Sequence, residues 1–258
     1  MLILRKHKKK CEKHAAKLHD EALLKEPPPP EECPICFLPL PLDSGLSQFK
    51  ACCGKTICSG CIHAVEKRDG GVGICPFCRT PGPTAEESAE QIKKRMELGD
   101  AHAIYDLGVC YSDGDNGISQ DHAKAVELWH RAGELGYAPS YHNIGNAYYN
   151  GDGEERDEKK ANHYFELAAM GGGVEARYNL GMYEACAGNM DRAVKHHMIA
   201  VGSGCTDSLE KIKQMFMNGY ATKGDYTKVL QTYQAYLGEI KSPQRDEAAA
   251  AFEDNKYY

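Results

Sequence analysis

The stretch ACCGKTICSGC, residues 51–61, carries Cys52, Cys53, Cys58 and Cys61 within eleven residues. CPIC, with Cys33 and Cys36, precedes it, and CPFC, with Cys75 and Cys78, follows, so eight of the 12 cysteines fall between residues 33 and 78. Each C-x-x-C is a short clip that aims two thiolates at one point, and three stand here: 33/36, 58/61 and 75/78. This spacing suits a tetrahedral zinc ion, which takes four soft or imidazole ligands with sulfur at about 2.3 Å. Eight thiolates fill two such sites and leave no coordination position open to water, so both ions are expected to be structural. They would supply folding free energy to a segment too short to bury much of a core. Lys55 stands inside the motif, but a protonated ammonium has no lone pair to offer a metal. Cys11, Cys110, Cys186 and Cys205 are isolated, and ordinary packing is the expectation for each.

The order of these residues resembles a RING zinc finger in its all-cysteine form. It runs C-x-x-C, fifteen residues, Cys52-Cys53, then Cys58-x-x-Cys61, thirteen residues and a last C-x-x-C. The common RING reads C-x-H-x-x-C in the middle, which would align Cys53, Lys55 and Cys58. Eight-cysteine variants read C-x-C-G-x-x-x-C, and Cys53-Gly54 matches the second half of that pattern. The resemblance implies a small α+β module in which alternate ligand pairs share an ion, the cross-brace. Cys33, Cys36, Cys58 and Cys61 would then hold one zinc, and Cys52, Cys53, Cys75 and Cys78 the other. His63 is the alternative to Cys52 as the last ligand.

The same resemblance implies ubiquitin-ligase positions. Ile35 matches the apolar residue set against a ubiquitin-conjugating enzyme, and Pro76 the second contact. Val65 falls where many ligases carry a tryptophan. Arg79, directly after the last cysteine, matches the residue that hydrogen-bonds both ubiquitin and the conjugating enzyme, a role suited to the rigid five-donor guanidinium. The implied mechanism is orientation of a charged conjugating enzyme, with no covalent catalytic residue in this chain.

Beyond residue 99 the sequence repeats. LGVCYSDG (107–114), IGNAYYNG (144–151) and LGMYEACAG (180–188) align, with Leu107, Ile144 and Leu180 at steps of 37 and 36. KAVELW at Lys124 returns as KANHYF at Lys160, RAVKHH at Arg192 and KVLQTY at Lys228. Gly136, Gly172 and Gly204 follow each second segment, where a left-handed terminating residue is wanted. A period of this length with two apolar-striped segments means stacked helix pairs, each covering its neighbour's apolar stripe. Gly108, Gly145 and Gly181 recur inside the first helix at one phase, which predicts close helix packing there; Trp129, Phe165 and Tyr233 share a phase read as core. The pattern resembles Sel1-like repeats, tetratricopeptide-like solenoids that bind proteins. It covers 99–136, 137–173 and 174–204, with a degenerate repeat over 205–241. The third repeat has a shorter loop between its helices, with Glu184 in place of the tyrosine, and Lys213 replaces the glycine of the fourth.

The remaining segments read simply. Residues 1–32 are a basic helix or tail ended by PPPP at 27–30, since proline lacks the amide donor a helix needs. Residues 81–98 are a linker running into a helix, with Thr84 and Glu87 placed for a capping box, and 242–258 are a closing C-terminal segment. Residues 1–25 hold eight Lys/Arg against three acids, while the whole chain has net charge −6. The basic block RKHKKK at 5–10 is a solvated tail or a nuclear address. The cysteine segment has no basic stripe with stacking aromatics, which argues against nucleic acid. Absent a long apolar run or a secretory pattern, an intracellular protein is expected, cytoplasmic or nuclear. The expectation is a zinc-bound RING-type ligase whose repeats recruit a protein substrate. The alternative is a non-catalytic adaptor.

Overall fold

A computed structural model describes residues 14–15, 17–41, 46–70 and 73–254. The basic block at 5–10, Cys11 and residues 255–258 lie outside the described residues. A short helix, α1 (17–23), comes first, and its chain runs on without regular structure through Pro27–Pro30. The cysteine segment then folds as an antiparallel hairpin, β1 (Ser47–Lys50) and β2 (Lys55–Cys58), followed by α2 (Ser59–Arg68). Register pairs Ser47 with Cys58 and Lys50 with Lys55. Among the described residues, the buried cluster of this module holds, besides cysteines, Leu40, Ile57 and Ile62. Three aliphatic side chains do not supply the burial that an independently stable fold of this size needs.

Ten helices follow: α3 (Ala85–Glu97), α4 (Ala101–Asp113), α5 (His122–Glu134), α6 (Pro139–Asn150), α7 (Glu158–Met170), α8 (Val174–Cys186), α9 (Met190–Gly202), α10 (Thr206–Met217), α11 (Lys223–Ile240) and α12 (Pro243–Asp254). The α3 start has the expected capping box: Glu87 N donates to Thr84 Oγ1 at 3.3 Å, and Thr84 N to Glu87 Oε2 at 2.9 Å. Helices α4 to α11 stack as antiparallel pairs. Each repeated glycine is a contact point, because a Cβ on Gly108, Gly145 or Gly181 would lie 2.5–2.7 Å from Trp129, Phe165 or His197. The third ring at this position is thus His197, which the aligned phase of KAVELW and RAVKHH had made available. Gly136, Gly172 and Gly204 take φ of +94°, +96° and +94°, the left-handed turn that reverses the chain between pairs.

The first and last described helices both pack onto the body of the molecule. Leu23 of α1 is fully buried in the core shared by α5 to α8. Arg177 of α8, itself 2 % exposed, donates to the Leu23 carbonyl and, at 3.4 Å, to that of Lys25. It thereby satisfies carbonyls at the α1 terminus that have no intrahelical partner. Arg192 bonds Asp20 at 2.7 Å and Glu184 at 2.6 Å. At the other end, α12 packs on α2, with Lys67 and Glu247 3.0 Å apart at the rim. No helix among the described residues is long and apolar enough to cross a membrane.

Candidate metal centre

Two backbone turns of the same shape present four of the eight thiols. In the first, Cys33 N donates to Leu38 O at 2.9 Å and Phe37 N to Cys33 O at 2.9 Å. In the second, Cys75 N donates to Thr80 O at 2.8 Å and Arg79 N to Cys75 O at 2.9 Å. Isolated bridges Glu32–Pro39 and Ile74–Pro81 close both turns. The residue after the second cysteine is left-handed in each, Phe37 at φ 58° and Arg79 at φ 64°. The sequence does carry this duplication, as CPICFLPLP and CPFCRTPGP, but the C-x-x-C signal overshadows it. Cys52 and Cys53 sit in the bend between β1 and β2. Cys58 ends β2, and Cys61 lies in the first turn of α2.

These elements gather the sulfurs into two quartets, Cys33/Cys36/Cys58/Cys61 and Cys52/Cys53/Cys75/Cys78, each with its Sγ atoms within 4.8 Å of one another. Close pairs are Cys33–Cys61 at 3.9 Å, Cys36–Cys58 at 3.7 Å, Cys53–Cys75 at 3.7 Å and Cys52–Cys78 at 3.5 Å. A tetrahedron with metal–sulfur bonds of about 2.3 Å has sulfur–sulfur edges of about 3.8 Å. All eight are free thiols. The donor set therefore fits zinc in number, softness and spacing. His63 lies on α2, outside both quartets. Lys55 opens β2 and lines a cavity of about 310 Å³ with Glu31, Glu32 and Asp100, so its charge stands among carboxylates rather than sulfurs.

Electrostatics agree with a need for a cation. In the first quartet the Cys58 thiol holds Cys33 as a thiolate, down to about 4, while burial and then the Cys33 charge push Cys61 up to about 12. In the second, burial raises Cys53 to about 11, and Cys52 further. Burial opposes ionisation of Cys78 as well, but hydrogen bonds from Thr80, Cys52 and Cys75 together bring it down to about 6. In each quartet one thiol is thus favoured as the thiolate while burial opposes ionisation of Cys61, Cys52 and Cys53. A bound divalent cation reverses that balance and lets every thiol ionise.

The implied conjugating-enzyme contacts surround these turns. Ile35 is 37 % exposed, as are the neighbouring rings of Phe37 at 72 % and Phe77 at 46 %. Pro76 and Val65 are half-buried and Arg79 is exposed. Arg79 donates to Asp69 Oδ2 at 2.9 Å, an ion pair at the end of α2 that the sequence did not announce.

Comparison with known proteins supports the repeats first. The Sel1 repeat family model matches residues 101–137 and 138–173. A Sel1 repeat protein from Oxalobacter formigenes superposes with TM-score 0.52 at 21% identity, over 75% of this chain and 72% of its own. The protective antigen c5321 of uropathogenic Escherichia coli strains, which displays an SLR fold, does so with TM-score 0.50 at 23% identity, over 76% and 41%. These likenesses establish a Sel1-like solenoid. Among curated proteins, the ERAD-associated E3 ubiquitin-protein ligase component HRD3B of Arabidopsis thaliana is 29% identical over 112 residues, 43% of this chain and 17% of that protein. E3 ubiquitin-protein ligase GW2 of Oryza sativa subsp. indica is 36% identical over 69 residues, 26% and 15% respectively. The chain thus matches about a sixth of the length of these curated relatives. The chain is similar to ubiquitin-ligase components and carries a repeat type suited to protein partners.

Proposed function

We propose that the chain is a RING-type ubiquitin ligase, with two structural zinc ions in residues 33–80 and protein-recruiting repeats over 99–241. The observation that carries this reading is the interleaving of the quartets: ligand pairs one and three converge, as do two and four. That crossing ties the first turn to α2 and the second to the bend between β1 and β2, and Ile35 and Pro76, one in each turn, would form the platform for a conjugating enzyme. Ile35 supplies apolar contact there, Val65 a smaller one, and Arg79 fork-like hydrogen bonds to a ubiquitin carbonyl once it exchanges its Asp69 partner. The ions would hold the loops in place and take no part in the chemistry. The rate gain would come from orienting the thioester and the attacking amine.

Two features favour a non-catalytic adaptor: Val65 is a small residue on α2, and Arg79 is already paired with Asp69. Self-ubiquitination with a panel of conjugating enzymes separates the readings. The ligase reading expects chains that Ile35→Ala and Arg79→Ala reduce at least tenfold. Inactivity with every conjugating enzyme, in protein that retains two zinc ions, leaves the adaptor.

A further inference from the structure

Helix α12 reaches the first quartet from the opposite end of the chain. Arg245 is 9 % exposed, and its guanidinium is shared between two acceptors: Nη2 donates to Cys36 Sγ at 3.7 Å, and Nη1 donates to the Ile240 carbonyl, at the end of α11, at 2.9 Å. Ala248, one turn further along α12, is fully buried. A second feature lies on α2. Gly60 stands between ligands Cys58 and Cys61, and a Cβ there would lie 2.8 Å from the Arg245 backbone nitrogen and 3.0 Å from its Cα. Glycine inside a helix is ordinarily unfavourable. Here it is what lets the α12 backbone approach closely enough for Arg245 to reach the sulfur. Among the described residues the second quartet has no arginine on its sulfurs: its Cys78 is exposed, and its sulfur contacts are the Thr80 hydroxyl, the Lys50 carbonyl and its own cysteines.

We propose that Arg245 is a positioning residue for the first quartet, held there by α12 on Gly60, so that the far end of the chain locks one metal site and not the other. The inference rests on the zinc reading. Four thiolates around a divalent ion carry a net charge of −2, and a permanently charged guanidinium against one sulfur offsets part of it. Its N–H also fixes the direction of that sulfur, as partners beyond the ligands do at metal sites. Because the other arm of the fork holds the Ile240 carbonyl, the solenoid's last helix and the cysteine module become one unit.

The test uses the full chain loaded with zinc, challenged with excess chelator, with pulsed alkylation of freed thiols read by mass spectrometry. Alkylated peptides show which quartet opens. Arg245→Met should open Cys33/Cys36/Cys58/Cys61 about 10–100-fold faster, the range typical for loss of such partners, and leave Cys52/Cys53/Cys75/Cys78 within about twofold. An unchanged first quartet, or equal acceleration of both, overturns the proposal. If Arg245→Met does not fold, Gly60→Ala carries the test. Alanine favours helix at that position, so with α12 undocked it should slow opening; with α12 docked as seen it should speed opening of the first quartet. Slower or unchanged opening overturns the proposal. Native mass of the unaltered chain separates the two levels: no bound metal sinks the zinc reading, whereas two ions with an indifferent Arg245→Met sink this inference alone.

Discussion

The two quartets have the same chemistry and different surroundings. The first is largely buried: Cys33 and Cys58 are fully enclosed, and α12 closes over it from the end of the solenoid. The second stands at the surface with Cys78 exposed, and it meets the solenoid through backbone rather than sulfur. There Arg95 of α3 donates to the Ala51 carbonyl at 2.9 Å, and Phe49 of β1 stacks on His102 of α4 at 4.0 Å between ring centres. Burial keeps that histidine neutral, down to about 4. Two cysteine quartets of the same composition should thus differ in robustness because of what packs around them.

The sharpest way to break the comparison is to remove one thiol from each quartet. Cys58→Ser takes out a buried ligand at the junction of β2 and α2. It should cost one ion and the ordered structure of the module, since structural zinc in small domains is worth about 10–16 kcal/mol and Leu40, Ile57 and Ile62 cannot substitute. Cys78→Ser should also weaken binding, but water reaches the vacated position, so the β1–β2 hairpin should keep its amide protection. Hydrogen exchange on both variants, with metal counting, is the measurement. Equal loss of protection would erase the distinction between the sites. In both variants the helix signal of α4 to α11 should persist.

Acid offers a second, smaller lever, on the solenoid helices that lead into α12. His196 and His197 of α9 are almost fully buried, and burial lowers both to about 4. An unfolded chain binds these protons near the ordinary value of about 6.5. Between those values the unfolded state holds more protons, so stability is complete above about pH 6.5, falls as pH drops towards 4, and changes no further below it. Each histidine contributes up to about 3 kcal/mol over that window. Helix α9 packs against α11, which leads directly into α12, so acid should loosen the support of Arg245, while His102 beside the second quartet titrates over the same range. Neither ring nitrogen of His196 has a hydrogen-bond partner, so His196→Leu should be neutral or stabilising at pH 7 and should flatten the slope. Urea unfolding at pH 7.5 and 5 checks this; an unchanged slope refutes the assignment.

Arg95→Met is the counterpart of the Arg245 variant for the second quartet. It removes a hydrogen bond to a carbonyl adjacent to Cys52, worth about 1 kcal/mol, and should open the second quartet several-fold faster with the first unaffected. Alkylation patterns opposite to those of Arg245→Met would show that each site has its own anchor.

The repeats and the thiol spacing were legible because they are local and periodic. A 36- or 37-residue step, a glycine at fixed phase and three C-x-x-C clips each declare themselves within one element. The docking of α12 was not legible. Arg245 lies in QRDEAAAAF, where it resembles any charge on an alanine-rich helix, and Gly60 looks like a spacer between two ligands. Their meaning arises when residues 185 positions apart meet, and no local pattern encodes that. Residues 17–26 show the same limit. The sequence reads them as part of a basic helix or tail without a packing partner, yet Leu23 is buried and Arg177 caps the helix end, because the determining partner is on α8.

The smallest expected effect compares the two matching turns directly. Phe37 and Arg79 both hold left-handed backbone, which costs a residue with a side chain about 1–2 kcal/mol relative to glycine. Phe37 is 72 % exposed, so Phe37→Gly loses little packing and should relieve that cost, raising stability by somewhat under about 1 kcal/mol once the greater freedom of unfolded glycine is counted. Arg79→Gly relieves the same strain but gives up the solvent-screened ion pair with Asp69, so it should stabilise less than Phe37→Gly. Thermal unfolding of the zinc-loaded variants distinguishes them by a few degrees. If both glycine variants are equally stabilising, the Asp69 pair contributes nothing and Arg79 is free to turn towards a partner. If neither is, the left-handed residues are held by the metal-bound turn strongly enough that their strain no longer registers.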